Sequence, residues 1–229
     1  MSVCFLNNEY VLLSEAKVSV LDRGFIFGDA VYEVLPAFEG KFFALAQHLE
    51  RLNDNLKKVS IDPPYSSKEW GALLATLSEK NGNSDLSFYI QVTRGVAERN
   101  HFFPMDCKPT VFVMCTSLKS SSSPLIKSCI TRSDNRWGRC DIKTTSLLPN
   151  LMLKNEALLS DAFEVILLKN GMLTEGASSN VFVVSKGRVK TPEVSNFILP
   201  GVTRDFVLQV LNELGITCEK RNVISEELF

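Results

Sequence analysis

Lys143 sits in the stretch RWGRCDIKTTSLLPN, Arg136 to Asn150, two residues after an aspartate and directly before a Thr-Thr-Ser run. In water a lysine is a protonated and unreactive cation, with a pKa near 10.4. Acting as a neutral nucleophile near pH 7 requires that value to fall by roughly 3 pH units, about 4 kcal/mol of ammonium stabilisation. Cys140, Ile142, Leu147 and Leu148 surround it, and the alternation of CDIKTTSLL predicts a strand with one side buried. Burial acts in the required direction, so the stretch reads either as a solvated cation or as a lysine kept for chemistry.

Three further clusters have residue types suited to chemistry. LPGVT, Leu199 to Thr203, enters a helical pattern; Gly201 permits close backbone approach and Thr203 adds a hydroxyl beside unpaired helix amides, the outline of an anion site or of an ordinary cap. In TEGASSNVF, Glu175 precedes a Gly-Ala-Ser-Ser run that makes a tight, hydrogen-bond-rich loop, so the carboxylate is either rigidly held or a solvated turn acid. Arg99 and His101 stand one residue apart in a loop leaving a strand, where both side chains can point the same way and offer two donors to a carboxylate; a loop histidine can equally be structural. His48, within LAQHLERL, is assigned to packing.

These residues need elements to hold them. VCFL, Asn7-Asn8 and YVLL predict one hairpin, and VYEVLPAF, EGK and FFAL a second. Leu45, Leu49, Leu52 and Leu56 recur at helical spacing, with Arg51 on the flank of their stripe, from where it can reach inward. PYSSKEWGALLATLSEKNG predicts a second helix capped by Ser66 or Ser67, and SFYIQVTRG and PTVFVMC two more strands. The polar SLKSSSSPLIK places a boundary near residue 120, between parts 1–119 and 120–229. Beyond it, FEVILLKNGML and NVFVVSKGRVKTP predict strand-turn-strand units at Asn170-Gly171 and Lys186-Gly187. RDFVLQVLNELG predicts a helix with Phe206, Val207, Val210, Leu211 and Leu214 on one face and Gly215 as its stop.

The 229 residues suffice for two lobes, and 45% apolar with 22% charged residues is an ordinary globular composition. A net charge of -1 lacks the basic footprint of a nucleic-acid binder. The six cysteines form no C-x-x-C pair, giving neither a metal pattern nor a disulfide framework, so free thiols in a reducing compartment are expected. No apolar run approaches the roughly 20 residues that cross a bilayer, and the N-terminus lacks a basic segment followed by an apolar core. A cytoplasmic protein is expected.

In this order, DRGFIFGDAVYEV (22–34), HLERL (48–52), QVTRG (91–95), DIKTTSLLPNLMLKNEA (141–157), TEGASSNVF (174–182) and LPGVTRD (199–205) make the chain resemble the class IV pyridoxal-phosphate aminotransferases. That group contains D-amino acid, branched-chain and aminodeoxychorismate-lyase enzymes. The resemblance implies an α+β, two-lobed class IV aminotransferase fold, with a smaller N-terminal α/β lobe, a larger strand-rich C-terminal lobe, and pyridoxal 5'-phosphate between them. It implies that Lys143 forms the internal Schiff base and shuttles the proton, and that Glu175 pairs with the pyridine nitrogen. Arg51, Val202 and Thr203 would bind the cofactor phosphate and Leu199 would lie against the ring. With that support the anion-site reading of LPGVT overtakes the cap. No metal is implied.

The R-x-H loop is most similar to the D-amino acid group, in which an arginine, a histidine and a tyrosine trap the substrate carboxylate; the matching residues are Arg99, His101 and Tyr32. Transamination of D-amino acids such as D-alanine with 2-oxoglutarate is the implied activity, in a homodimer with a loop of one subunit near the other's site. The alternatives are an aminodeoxychorismate lyase releasing pyruvate and 4-aminobenzoate, a branched-chain aminotransferase, and a non-catalytic binding protein on the same fold. The sequence departs from the pattern twice. It ends at ISEELF, where the family continues into another strand and a hydroxyl-bearing loop, and Ala177 stands where serine is common.

Overall fold

Successive side chains of a strand turn to opposite faces, so within Ala30–Phe38 the odd-numbered Val31, Glu33, Leu35 and Ala37 share one side. The computed structural model of the chain, which describes residues 2–118 and 126–228, buries all four completely and leaves Val34 and Phe38, on the other side, 40% and 43% exposed. A carboxylate therefore occupies the buried face of this strand.

The chain divides into two compact units, Met1–Ser122 with Lys143–Ser146, and Ser123–Ile142 with Leu147–Phe229. The boundary expected near residue 120 lies outside the described residues. Two expectations change. Lys143–Ser146 groups with the first unit rather than the second, because Thr144 bridges Val31 and the Thr145 amide donates to the Ala30 carbonyl. In this chain the first unit also holds more residues than the second.

The first unit contains β1 (Val3–Leu6), β2 (Glu9–Leu12), α1 (Arg23–Phe27), β3 (Ala30–Phe38), β4 (Lys41–Phe42), α2 (Leu45–Lys58), α3 (Ser67–Lys80), β5 (Leu86–Thr93) and β6 (Thr110–Ser117). Its six strands form one antiparallel sheet in the order β2-β1-β6-β5-β3-β4. Asn7 and Asn8 both take positive φ, 47° and 73°, as a two-residue hairpin turn demands. α2 buries Leu49, Leu52 and Leu56 of the expected stripe and half-buries Leu45 at its start, and α3 buries Trp70, Leu73, Leu74 and Leu77. Each such leucine contributes about 1.5–3 kcal/mol relative to exposure. Ser66 is the α3 cap, in a reciprocal capping box with Glu69.

The second unit contains β7 (Cys129–Ser133), α4 (Leu148–Leu159), β8 (Glu164–Lys169), β9 (Met172–Gly176), β10 (Val183–Ser185), β11 (Arg188–Thr191), α5 (Val202–Glu213) and β12 (Cys218–Lys220). Its two three-stranded sheets, β7-β8-β9 and β10-β11-β12, are built alike: β7 pairs parallel with β8 across α4, and β11 parallel with β12 across α5. Parallel neighbours need such a crossover, whereas β8-β9 and β10-β11 close through the expected tight turns. Leu153 and Ala157 of α4 pack with Val165, Leu167 and Ala177 into the core of this unit. The apolar face expected for α5 is covered only in part, with Val207, Val210 and Leu211 half-buried. Phe206 and Leu214 are 44% and 67% exposed, while the fully covered positions are Val202 and Arg204, whose guanidinium donates to the Pro192 carbonyl.

Candidate active site

Lys143 is not in a strand; an isolated bridge at Thr144 replaces the predicted ladder, and Leu148 is 68% exposed rather than packed around it. Its seat is Tyr32. The Tyr32 amide donates to the Lys143 carbonyl at 2.9 Å, and Lys143 Nζ stands 4.3 Å from the centre of the Tyr32 ring. Thr145 and Ser146 hydroxyls donate to the Gly28 carbonyl and fix the residues that follow. Tyr32 in turn stacks on Tyr89 at 5.6 Å, and burial pushes the Tyr89 phenol up to about 12, so it stays protonated and donates to Gln91 Oε1.

On the opposite face of β3, Glu33 accepts from Arg51 Nε at 2.7 Å and Arg51 Nη2 at 2.8 Å, and its Oε2 lies 2.9 Å from His48 Nδ1. His48 and Arg51 are three residues apart on α2 and so reach the same point. Burial works to raise the Glu33 carboxyl, but the Arg51 and His48 hydrogen bonds and the positive charges of Arg51 and Lys143 outweigh it and hold the group below its ordinary value. Glu33 escaped the motif reading, because VYEVLPAF is apolar on both sides of the strand and its alternation does not mark the buried face. His48, assigned to packing, is buried and also hydrogen-bonded.

Arg99 and His101 are exposed and share one neighbour: the Arg99 guanidinium lies 5.3 Å from the Phe27 ring centre and the His101 ring 5.7 Å. The residue between them is pinned, because Arg23 Nη1 donates to the Asn100 carbonyl at 2.7 Å. Arg23 is buried and also bonds Asp29 Oδ2, which Arg94 meets from β5's end at 2.7 Å. The motif DRGFIFGD is thereby explained as a clamp on the 99–101 loop. A cavity of about 460 Å³ in this unit is lined by Leu6, Val18, Phe25, Tyr89, Gln91 and Thr145 among others; Lys143 is not in its lining.

In the second unit, β9 carries Glu175 into a buried polar cluster. Its Oε1 accepts from Arg136 Nη1 at 2.6 Å, and its Oε2 from Asn180 Nδ2 and the Leu199 amide, each at 3.1 Å. The same Asn180 Nδ2 donates to the Leu199 carbonyl. Burial raises the Glu175 carboxyl above its ordinary value, and Arg136 and the Leu199 amide offset only part of that. The solvated-turn alternative is thus excluded: Glu175 is 4% exposed. Glu164 holds the neighbouring loop, accepting from the Ser178 and Ser179 hydroxyls. Three residues after Leu199, α5 begins at Val202 with Gly201 as N-cap, a residue with no side chain to cap the first amides of this twelve-residue helix. Thr203 is exposed in that first turn.

Residues 30–229 match the family model described as amino-transferase class IV. The chain is 39% identical to the D-alanine aminotransferase of Bacillus licheniformis, over 100% of this chain and 81% of that one. Among solved structures it is similar to a branched-chain aminotransferase of Thermoproteus uzoniensis with norvaline, at a TM-score of 0.88 and 25% identity, over 99% of this chain and 80% of that one. It is also similar in fold to the branched-chain amino acid aminotransferase of Thermobaculum terrenum, solved in its PLP-bound holo-form, at a TM-score of 0.89 and 21% identity, over 99% of this chain and 78% of that one. The chain belongs to the class IV aminotransferases. It is accordingly a pyridoxal-phosphate-dependent transaminase.

The residues present fit that cofactor. Arg136 carries one positive charge against the two carboxylates of Asp134 and Glu175, all three buried, and a protonated ring nitrogen is the kind of donor that balances the remaining negative charge. The uncapped start of α5 has the chemistry of a phosphate site. Arg136 and Asp134 were not singled out from sequence.

Proposed function

We propose that this protein transfers the amino group of D-amino acids, D-alanine among them, to 2-oxoglutarate, giving a 2-oxo acid and a new D-amino acid. The observation that carries the reading is Lys143 seated on Tyr32 by both backbone and side chain, in a chain with a D-alanine aminotransferase relative matching along its whole length.

Pyridoxal phosphate supplies an aldehyde that condenses with amines and a ring that withdraws electrons from the substrate's Cα. Arg51, Val202 and Thr203 would hold its phosphate, Leu199 would lie against its ring, and Glu175 would accept from its ring nitrogen. Lys143 Nζ would be the nucleophile that holds the cofactor's aldehyde carbon and, as a free amine, the base that takes the proton from the substrate's Cα. The Tyr32 ring favours the protonated amine by about 0.5–2 kcal/mol, so it holds the proton on Nζ between removal and return. Arg99 and His101, steadied through Asn100 by Arg23, would bind the substrate carboxylate, with the Tyr32 hydroxyl as third donor. Which hydrogen of Cα meets Lys143 then follows from orientation.

A homodimer is part of this reading, and association would cover large apolar side chains that the first unit leaves exposed, Val20, Phe25, Phe102 and Met105 among them. Among the described residues no helix is long and apolar enough to cross a membrane. All six cysteines are free, which supports a reducing cytoplasmic setting.

The test is the purified protein with pyridoxal phosphate, D-alanine and 2-oxoglutarate. Pyruvate should form, and Lys143→Ala should stop it. Release of 4-aminobenzoate from aminodeoxychorismate with no turnover of D-alanine would replace this reading with the lyase.

A further inference from the structure

We propose that Arg136, gripped by Asp134, is the positioning residue that keeps Glu175 ionised and aimed, and so sets how strongly the protein can hold a protonated cofactor ring. The inference rests on the role given above to Glu175.

The geometry is specific. Asp134 takes Arg136 in a fork, Nε on Oδ1 at 3.0 Å and Nη2 on Oδ2 at 2.8 Å, and accepts the Arg136 amide as well at 3.2 Å. Thr174, next to Glu175 on β9, donates to the same Asp134 Oδ2 at 2.8 Å, and Nη2 is shared with the Phe197 carbonyl. With its plane fixed on that side, the guanidinium has one orientation left for Nη1, toward Glu175 Oε1. The other donors to Glu175, Asn180 and the Leu199 amide at Oε2, are neutral and cannot replace the charge of Arg136. The Cys140 thiol is pushed up to about 11 by burial and is neutral, and Lys169 stands over the Phe197 ring at 4.4 Å.

The consequence follows from charge. Without Arg136, two buried carboxylates remain close together, and such a pair cannot keep both charges. Glu175, which burial already raises, takes up the proton. A protonated Glu175 donates where it should accept, and a ring nitrogen bearing a proton then has no acceptor.

The experiment uses the full chain free of cofactor and then loaded with pyridoxal phosphate. Infrared spectra of cofactor-free Arg136→Gln at neutral pH should contain the C=O stretch of a protonated carboxyl, absent from the parent and from the double variant with Glu175→Gln. Adding Asp134→Asn to Arg136→Gln removes the like charge and should weaken that band, whereas a merely structural cluster would be damaged further. Pyridoxal phosphate titrated into the same proteins should bind at least tenfold more weakly to Arg136→Gln, with partial recovery in the variant that also carries Asp134→Asn. Arg136→Met supplies a second route should the glutamine variant not fold. No band in either variant, or a band that Glu175→Gln leaves in place, overturns the proposal. Unchanged cofactor affinity in Glu175→Gln alone would instead overturn the role given to Glu175, and the infrared result distinguishes the two.

Discussion

Lys143 and Tyr32 are joined twice, by a 2.9 Å backbone hydrogen bond and by the lysine Nζ 4.3 Å from the ring centre. The first link does not depend on the tyrosine side chain, so Tyr32 substitutions leave the lysine backbone placed and test the ring alone. Tyr32→Phe removes only the hydroxyl and should raise KM for D-alanine more than it lowers kcat. Tyr32→Ala removes the seat as well, and kcat should fall a further ~2- to 30-fold, the worth of a cation–π contact of about 0.5–2 kcal/mol. Steady-state kinetics giving the two variants the same kcat would remove the ring from the argument.

Glu33 is wholly buried and its charge is matched by Arg51 and His48. Glu33→Gln leaves the Arg51 guanidinium, only 12% exposed, without this carboxylate as counter-ion. Breaking a buried pair from one side costs about 3–5 kcal/mol, reduced here by the partial access of Arg51 to water. Urea unfolding should therefore show a loss on the order of 3 kcal/mol with an unchanged m-value. A shift of the midpoint worth under about 1 kcal/mol would mean the pair is structurally dispensable.

The elements with strong local signals were legible. The positive-φ Asn7-Asn8 turn, the Ser66–Glu69 box and the Leu49/Leu52/Leu56 stripe each carry their cause within a few residues. What was missed depends on distant partners. α4 showed no helical stripe because Leu148, Leu151, Met152, Leu158 and Leu159 are all at least 60% exposed, so apolar residues surround the helix instead of marking one face. β7 and β12 are short parallel strands whose partners lie across a crossover, which leaves no turn signal beside them. The site shows the same division. Lys143 and Glu175 stand in motifs, whereas Arg136 meets Glu175 across 39 positions of sequence in a stretch with no period to read.

Asp29 joins fold to loop, since Arg94 and Arg23 both bond it and Arg23 also holds the Asn100 carbonyl. Burial tends to raise its carboxyl, but the bonds from Arg94 and Arg23 prevail and hold it below the ordinary value. A group depressed in the folded state adds stability that is complete above its unfolded value, about 3.9, and is lost as pH falls through the lower folded one. Asp29→Asn should thus lower stability at about pH 6 and flatten its decline below about pH 4. The same variant should raise KM for D-alanine, because the clamp on the Arg99–His101 loop is loosened. Parallel pH curves for variant and parent in urea titrations would contradict this account.

Two glycines separate fold from function. Gly95 has φ +107°, and a Cβ there would run into the Lys108 backbone carbonyl, an atom that cannot swing aside. Gly95→Ala should lower the unfolding temperature markedly, from backbone strain of about 1–3 kcal/mol plus that overlap. Gly201 has an ordinary φ of -75°, and its added Cβ would meet Asn180 Oδ1, the end of a side chain able to move. When Asn180 moves, Glu175 Oε2 loses a donor and Leu199 loses the partner of its carbonyl. Gly201→Ala is therefore expected to fold with little loss of stability yet bind pyridoxal phosphate more weakly, and calorimetry beside a cofactor titration resolves the two effects. Loss of folding without loss of affinity per folded molecule would place Asn180 in the scaffold rather than at the site.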